Sequence, residues 1–240
     1  MRVSCNSKMT NRFIIVLLAI SFLTGCDLHS AQYYVERGHE IGLTGDYPSA
    51  IKLFDKAIRK NPKLKEAYIQ RGLANESINQ TDKAINDYTK LLTFDPQNTM
   101  AYYSIGLCKY QQQKFNEAIE YYNKALVTKG VKDPLDNSNP QIIINWNKNG
   151  LLTDIGQYDV ASYEIYYERG LAYYSTNQIK RAYYDFENCI QQNYMLGESN
   201  YMVGLCWLTD KNNEKACESF KTGAFYGDSL SKVQILEICK

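Results

Sequence analysis

The chain has 240 residues, of which 45% are hydrophobic and 22% are charged. This is the composition of a globular protein with enough apolar material for a continuous core, and it excludes disorder as the default state. All 26 acidic residues follow residue 25, so the chain from Cys26 onward has a formal charge of 24 − 26 = −2. A nearly neutral chain lacks the basic surface that phosphate neutralisation requires, so we do not expect nucleic acid to be the partner.

The first predicted element is a targeting segment. Three basic residues precede an apolar run of 11 residues, FIIVLLAISFL at 13–23, which is too short to span a bilayer as a helix of about 20 residues. The sequence LTGC at 23–26 follows and resembles the lipobox of bacterial lipoproteins. This resemblance implies that residues 1–25 are removed as a signal peptide and that Cys26 carries a diacylglycerol thioether and an N-acyl chain.

A cysteine suits this role because its thiolate is a nucleophile, and several acyl chains at ~0.8 kcal/mol per buried CH₂ give a stable anchor. We therefore expect a protein of the bacterial cell envelope, held on the periplasmic side of a membrane through Cys26, with residues 26–30 as the lipidated tether. An ordinary signal peptide or a chance apolar run is the alternative interpretation.

Residues 31–230 contain an internal repeat. Glycines recur at positions 38, 72, 106, 170 and 204, alanines at 50, 84, 118, 182 and 216, and aromatic residues at 54, 88, 122, 186 and 220. All intervals between successive units are equal except the third, which is longer. This pattern resembles the tetratricopeptide repeat (TPR), a helix pair with a period of about 34 residues. The resemblance implies an all-α superhelix of about five helix-turn-helix repeats, with repeats 1–3 at 31–130, repeats 4–5 at 162–230 and a capping helix at 231–240.

The repeated residue types agree with this interpretation. A glycine inside a helix destabilises it by about 1 kcal/mol relative to alanine. Five glycines at matched positions are therefore best explained by a close approach of two helices, with the aromatic side chains filling the space beside them.

The longer spacing indicates an insertion at 131–161. Its first part is rich in turn-forming residues, and its second part, QIIINWNKNGLLTDIG, has an Asn-Gly turn between two apolar stretches. We expect a loop that leads into a short β-hairpin. A degenerate helical unit is the alternative.

Tyrosines near the repeat glycines form two stripes. Positions four before and three after each glycine, such as Tyr166, Tyr173 and Trp207, share the face of the helix that is expected to pack in the core. Positions three before, one after and four after the glycine form a second stripe, which in the TPR family lines the concave surface. We call the candidate partner-binding part of this stripe the groove stripe; it consists of Tyr103, Leu107, Tyr110, Tyr167, Leu171, Tyr174, Tyr201 and Leu205.

Rigid aromatic side chains suit an exposed binding groove, because they offer a large contact area with few rotatable bonds. A simple preference for tyrosine at these positions is the alternative interpretation. Arginines at 37, 71 and 169 precede three of the glycines and are expected to bridge helices. The carboxylate clamp of some family members is not expected here, because the matching positions are apolar or aromatic.

The sequence favours neither catalysis nor a metal or cofactor. Its two histidines are His29 in the tether and His39, which is expected at the surface, and neither belongs to a metal or nucleophile motif. Cys108 and Cys206 occupy small positions beside repeat glycines and are expected to be buried. A disulfide between Cys189 and Cys206 is an open alternative, since they lie on neighbouring helices.

These observations predict a lipid-anchored scaffold or adaptor that holds a protein or peptide of the bacterial envelope. The alternative is a lipoprotein that binds a small ligand or glycan in the tyrosine-rich groove, since aromatic platforms also stack on sugars. An enzyme hidden in the insertion is a third interpretation, but no catalytic constellation is present there.

Overall fold

The computed structural model describes residues 27–132 and 159–239. Within them the chain forms eleven helices and two short strands, β1 (Val131–Lys132) and β2 (Val160–Ala161). The helices are α1 (Ala31–Leu43), α2 (Tyr47–Lys60), α3 (Lys65–Ser77), α4 (Thr81–Leu92), α5 (Thr99–Gln111), α6 (Phe115–Leu126), α7 (Ser162–Ser175), α8 (Ile179–Gln191), α9 (Leu196–Thr209), α10 (Asn213–Phe225) and α11 (Ser229–Ile238). The signal peptide, Cys26 and the expected β-hairpin lie outside the described residues.

The helices stack in the order of the chain. Five pairs, from α1–α2 to α9–α10, form the five repeats, and the second helix of each pair also packs on the first helix of the next. One apolar cluster runs from repeat 2 to repeat 5, and a second fills repeat 1. The predicted all-α solenoid of five repeats is confirmed.

Each repeat glycine lies against an aromatic ring from the second helix of its own repeat. A Cβ atom at Gly106 would lie 2.5 Å from Cε1 of Tyr122, a ring that is completely buried. The same contact recurs in the other four repeats, between Gly38 and Phe54, Gly72 and Tyr88, Gly170 and Phe186, and Gly204 and Phe220. The predicted close approach of the two helices in each repeat is therefore confirmed.

The turn between the two helices of a repeat also recurs. One matched position of this turn has a positive φ in every repeat, and it is Gly45, Asn79, Gln113, Asn177 or Lys211. Glycine and asparagine adopt this left-handed conformation most readily. The turn therefore keeps its backbone conformation although its residue type varies. For this reason the turn is harder to detect in the sequence than the repeat glycine on the first helix.

Two of the three arginines join helices as expected. Arg71 on α3 contacts Asp87 on α4 at 3.0 Å and also reaches Asp55 on α2. Arg169 on α7 contacts Asp185 on α8 at 2.8 Å and Asn123 on α6 at 2.7 Å. Each arginine thus connects its own repeat with the preceding one.

Arg37 does not bridge helices, contrary to the prediction. It is exposed and pairs with Glu40 on its own helix. The position that is aspartate in repeats 2 and 4 is Leu53 in repeat 1, so the second helix of that repeat offers no acceptor at the matching position.

The insertion leaves the stack unbroken, because α6 packs on α7 as the corresponding helices do elsewhere. Its two ends lie side by side as parallel strands, with Val131 paired to Val160 and Lys132 to Ala161. Val160 is completely buried. The parallel pair therefore closes the base of the insertion and keeps repeats 3 and 4 in contact.

The cysteines differ from the expectation in one respect. Cys108 and Cys206 are buried and free, as expected for packing residues, and Cys189 is also buried and free, so the suggested disulfide between Cys189 and Cys206 is wrong. The Cys189 thiol donates to the carbonyl of Tyr163 within its own repeat. A disulfide instead joins Cys217 on α10 to Cys239 after α11, with 5.5 Å between their Cα atoms.

We expect Gly106→Ala to lower the free energy of unfolding by about 1–3 kcal/mol, because the new methyl group overlaps the buried Tyr122 ring. Helix propensity alone would instead raise it by about 1 kcal/mol. Urea unfolding of the variant measures the difference. In a Tyr122→Leu background the same substitution should be much less destabilising, and an equal loss in both backgrounds would contradict the role assigned to the contact.

Candidate functional site

The groove stripe lies on the first helices of repeats 3, 4 and 5. Seven of its eight side chains are half-buried, so that each rests on the core with part of its surface open. They are Leu107 and Tyr110 on α5, Tyr167, Leu171 and Tyr174 on α7, and Tyr201 and Leu205 on α9.

Tyr103 differs from the expectation for the groove stripe, because only 6% of it is exposed. Its ring lies 6.1 Å from that of Tyr122, and two carboxylates of α7 lie close enough to raise the pKa of its hydroxyl, although burial is the larger cause. Tyr103 therefore supports the groove from below rather than lining it.

In repeats 1 and 2 the same stripe is more enclosed, and Glu76 is its only half-buried side chain there. Val35, Ile69 and Leu73 are buried, and so is His39, which the sequence analysis placed at the surface. The stripe is thus most accessible in repeats 3–5, where seven of its side chains are half-buried.

Three of the four half-buried tyrosines of the stripe, Tyr110, Tyr167 and Tyr201, lie close to other aromatic rings. Tyr167 lies 5.8 Å from Phe186, and Tyr201 lies 5.9 Å from Phe220, between ring centroids. These partners are the rings that contact the repeat glycines. Each of these two groove tyrosines is therefore held in place by a fully buried ring, and little conformational entropy remains for it to lose when a partner binds.

The structure adds an acidic pair that the sequence analysis missed. Glu164 and Glu168 lie one turn apart on α7, and their charges influence the hydroxyls of Tyr103 and Tyr194. The pKa of both carboxyls is raised to about 7; burial is the cause for Glu168 and the larger cause for Glu164, where the charge of Glu168 also contributes. Like charges four residues apart destabilise a helix. The spacing of Glu164 and Glu168 is therefore the signal by which the sequence could have identified this pair.

The acidic pair is not neutralised within the described part of the chain. Oε2 of Glu164 is buried and has no hydrogen-bond partner there, while the nearby Arg169 is occupied by Asp185. A buried carboxylate that lacks a counter-charge favours the approach of a cation. The acidic pair therefore lies on the same helix as the groove-stripe residues of repeat 4 and has no counter-charge in the described part of the chain.

Glu76 is a third largely buried carboxyl, but its environment is different. It accepts a hydrogen bond from the Tyr88 hydroxyl, and burial raises its pKa to about 7 despite the hydrogen bonds from Tyr88 and Cys108. Its partners all belong to the packed interior of repeats 2 and 3. We assign it a structural role.

A separate cavity of about 370 Å³ lies between α8 and α9. The sequence analysis placed Trp207 in the core, but it is half-buried and lines this cavity with its ring 5.1 Å from that of Tyr183. Nζ of Lys215 lies 4.3 Å from the centroid of the Trp207 ring. The other lining residues are Ile179, Lys180, Tyr184, Cys206 and Asp210.

Residues 27–132 and 159–239 contain no cluster of three or more His, Cys, Asp or Glu side chains arranged to hold a metal ion. In the same ranges, no helix combines the length and the apolar character that crossing a membrane requires.

We expect the protein to be more stable at pH 5 than at pH 8. The pKa values of Glu76, Glu164 and Glu168 are raised from 4.5 to about 7 in the folded protein. The native state therefore binds protons more tightly than the unfolded chain, and stability is lost as the pH rises from about 4.5 through 7. Chemical unfolding at several pH values measures this.

Glu164→Gln should raise the free energy of unfolding by about 1–2 kcal/mol at pH 8 and change it little at pH 5. Glu120→Gln, at an exposed position of α6, is the control and should have no comparable effect. A Glu164→Gln effect that is the same at both pH values would contradict the assignment.

Comparison with known proteins agrees with this geometry. Family models described as tetratricopeptide repeat match residues 44–99 and 100–128. The chain is 38% identical to the uncharacterized protein MJ0572 of Methanocaldococcus jannaschii over 48 residues, which are 20% of this chain and 56% of that relative. The chain thus spans little more than half the length of this relative.

Several solved structures share the fold at low sequence identity. MamA 41-end from Desulfovibrio magneticus RS-1 is similar with a TM-score of 0.65 and 16% identity, over 83% of this chain and 97% of that one. YrrB, described as a TPR protein with an unusual peptide-binding site, is similar with a TM-score of 0.62 and 15% identity, over 85% of this chain and 90% of that one. PilF of Pseudomonas aeruginosa is similar with a TM-score of 0.61 and 16% identity, over 83% of this chain and 77% of that one. The chain therefore contains tetratricopeptide repeats, and they form the helical solenoid that these structures share.

Proposed function

We propose that this protein is a membrane-anchored bacterial TPR lipoprotein that acts as an adaptor for another protein of the cell envelope. The groove stripe of repeats 3–5 is the observation that carries this proposal. It presents half-buried tyrosines and leucines on the first helices of three successive repeats, whereas in repeats 1 and 2 the stripe is buried except for the half-buried Glu76. Proteins with this repeat generally mediate protein-protein interactions, and one structural relative, YrrB, is described as having a peptide-binding site.

The chemistry of the groove indicates what it would bind. Tyr167, Tyr174 and Tyr201 offer rigid apolar area with a polar tip, which is the character of residues that dominate binding energy at interfaces. The unpaired Glu164 and Glu168 favour a cationic side chain beside the aromatic residues. A peptide segment with apolar side chains and one lysine or arginine fits both features.

The lipobox and the disulfide both support a location outside the cytoplasm. Disulfides persist in oxidising compartments such as the periplasm and are rare in the cytosol, and Cys217–Cys239 is such a bond. The tether is also short: Asp27 contacts Nζ of Lys60 on α2 at 3.3 Å, and α1 begins at Ala31. A lipid on Cys26 would therefore hold the first repeat directly at the membrane.

A ligand-binding or glycan-binding lipoprotein is the second candidate function. The sequence placed such a ligand in the tyrosine groove, but the cavity beside Trp207 is the observation that favours it, because it combines aromatic walls with Lys180 and Asp210 as hydrogen-bonding groups. Saturable glycan binding that is lost in Trp207→Ala and kept in Tyr167→Ala would favour this function over the adaptor.

For the adaptor, a photo-crosslinking amino acid at position 174 or 201 should capture one defined protein from native membranes. The same group at Tyr184, which is exposed outside the groove stripe and lines the cavity beside Trp207, reports on that cavity instead. With the purified partner, Tyr174→Ala and Tyr201→Ala should each weaken binding at least about tenfold, as hot-spot truncations do. Unchanged binding in both variants, or capture from position 184 alone, would refute the groove.

The anchor is tested separately by Cys26→Ser. Since the cysteine thiol is the acceptor of the lipid, the variant should remain an uncleaved precursor without incorporated fatty acid. Metabolic labelling with palmitate and the mass of the purified protein measure both outcomes. Normal processing of Cys26→Ser would refute the lipobox.

A further inference from the structure

We infer that the first repeat carries a second membrane-binding element, a basic surface for the headgroups of anionic phospholipids. We call it the basic patch, and it consists of Lys56, Arg59, Lys60 and Lys63, at the end of α2 and just after it. This inference rests on the proposed lipid anchor for its biological setting, but its physical basis is independent of lipidation.

The basic patch is concentrated although the protein as a whole is not basic. Residues 52–65, KLFDKAIRKNPKLK, contain six lysines and arginines and one aspartate. That aspartate, Asp55, is bound to Arg71. The mature chain has a formal charge of −2, so a local charge of this size is not a consequence of overall composition.

The geometry gathers these cations around one opening. A cavity of about 440 Å³ is lined by Lys56, Arg59 and Lys60 together with Asp27 and Tyr34. The ammonium groups of Lys56 and Lys60 lie 5.4 and 5.9 Å from the centroid of the Tyr34 ring. The cations are thus held side by side at the end of the repeat, with room for a phosphate group between them.

The charges are only partly neutralised. Asp27 pairs with Lys60, and Lys65 is bound to Asp95 outside the patch. Lys56, Arg59 and Lys63 have exposed side chains and are in no ion pair among the described residues. Three cations therefore remain available for anionic groups.

The position of the basic patch points to a membrane as the source of those groups. Asp27, the residue after the predicted lipidated cysteine, lines the same cavity. Leu28 follows it and is 92% exposed, so an apolar side chain stands beside the cations. An acyl anchor, an exposed leucine and a cluster of basic side chains at one end of the molecule match the layers of an anionic bilayer surface, where each basic residue adds to the attraction.

The test uses the mature chain, residues 26–240, with Cys26→Ser so that no lipid is attached. Sedimentation with vesicles of an equimolar mixture of phosphatidylcholine and phosphatidylglycerol should show binding. This binding should disappear when the ionic strength is raised to about 0.5 M and when the vesicles contain phosphatidylcholine alone. Added inorganic phosphate should compete poorly, since a single phosphate lacks the surface charge of the bilayer.

Lys56→Glu/Arg59→Glu should reduce binding to the anionic vesicles at least about tenfold. The matched control is Lys221→Glu/Lys232→Glu, which changes the net charge equally at exposed positions of the last repeat and the capping helix. Thermal unfolding of both variants verifies that they fold.

The inference is overturned if the chain with Cys26→Ser alone does not bind anionic vesicles. It is equally overturned if both double variants lose binding to the same extent. It is also overturned if inorganic phosphate displaces the protein from the vesicles efficiently, because the patch would then be a site for a soluble anion. None of these results depends on lipid attachment, which the processing of Cys26→Ser decides separately.

Discussion

The contact between a glycine on the first helix and an aromatic ring on the second sets the geometry of every repeat. It brings the two helices close enough for the ring to be fully enclosed, as Tyr122 and Phe186 are. The same ring then supports the groove stripe from beneath, since Tyr167 rests on Phe186 and Tyr201 on Phe220. Core packing and the rigidity of the groove are therefore two consequences of one contact, and a change in helix separation would move both.

The repeat architecture could be predicted because its signals are local and recur at a fixed spacing. Gly, Ala and an aromatic residue at matched positions identify the helix pair without any knowledge of the neighbouring repeats. The exposure of each side chain is harder to predict, because the position of a residue around its helix does not determine how much the next repeat covers it. Tyr103 is closed off where α7 packs beside α5, while Trp207 at a nominal core position is left open at the cavity between α8 and α9. The actual disulfide was missed for the same reason, since it depends on how α11 folds back on α10.

The acidic pair on α7 stands out against the other repeats. The position of Glu168 is filled by Gln70, Ser104 or Met202 in repeats 2, 3 and 5, and by the exposed Glu36 in repeat 1, so the solenoid does not require a buried carboxylate there. Buried carboxyls whose pKa values reach about 7 reduce stability at neutral pH. Glu168 thus departs from the residue types of the other repeats, lowers stability and lies beside accessible aromatic residues. Functional sites often combine such features. In the proposed adaptor, a cationic group from the partner would remove this destabilisation and so couple binding to stability.

Each end of the solenoid has a feature that fits the proposed location in the cell envelope. At the C-terminal end, α11 has only ten residues, which is too short to be stable in isolation. Its inner side packs on α10 through the buried Ser231, while its outer side exposes Leu230, Val233 and Leu236. The Cys217–Cys239 bond closes this end covalently, and it persists only where thiols are oxidised. An anchor on Cys26 is likewise completed on the outer side of the cytoplasmic membrane in the proposed maturation. In the proposed location both features would be in place, whereas in the cytosol the first repeat would lack its anchor and α11 would lack its covalent link to α10.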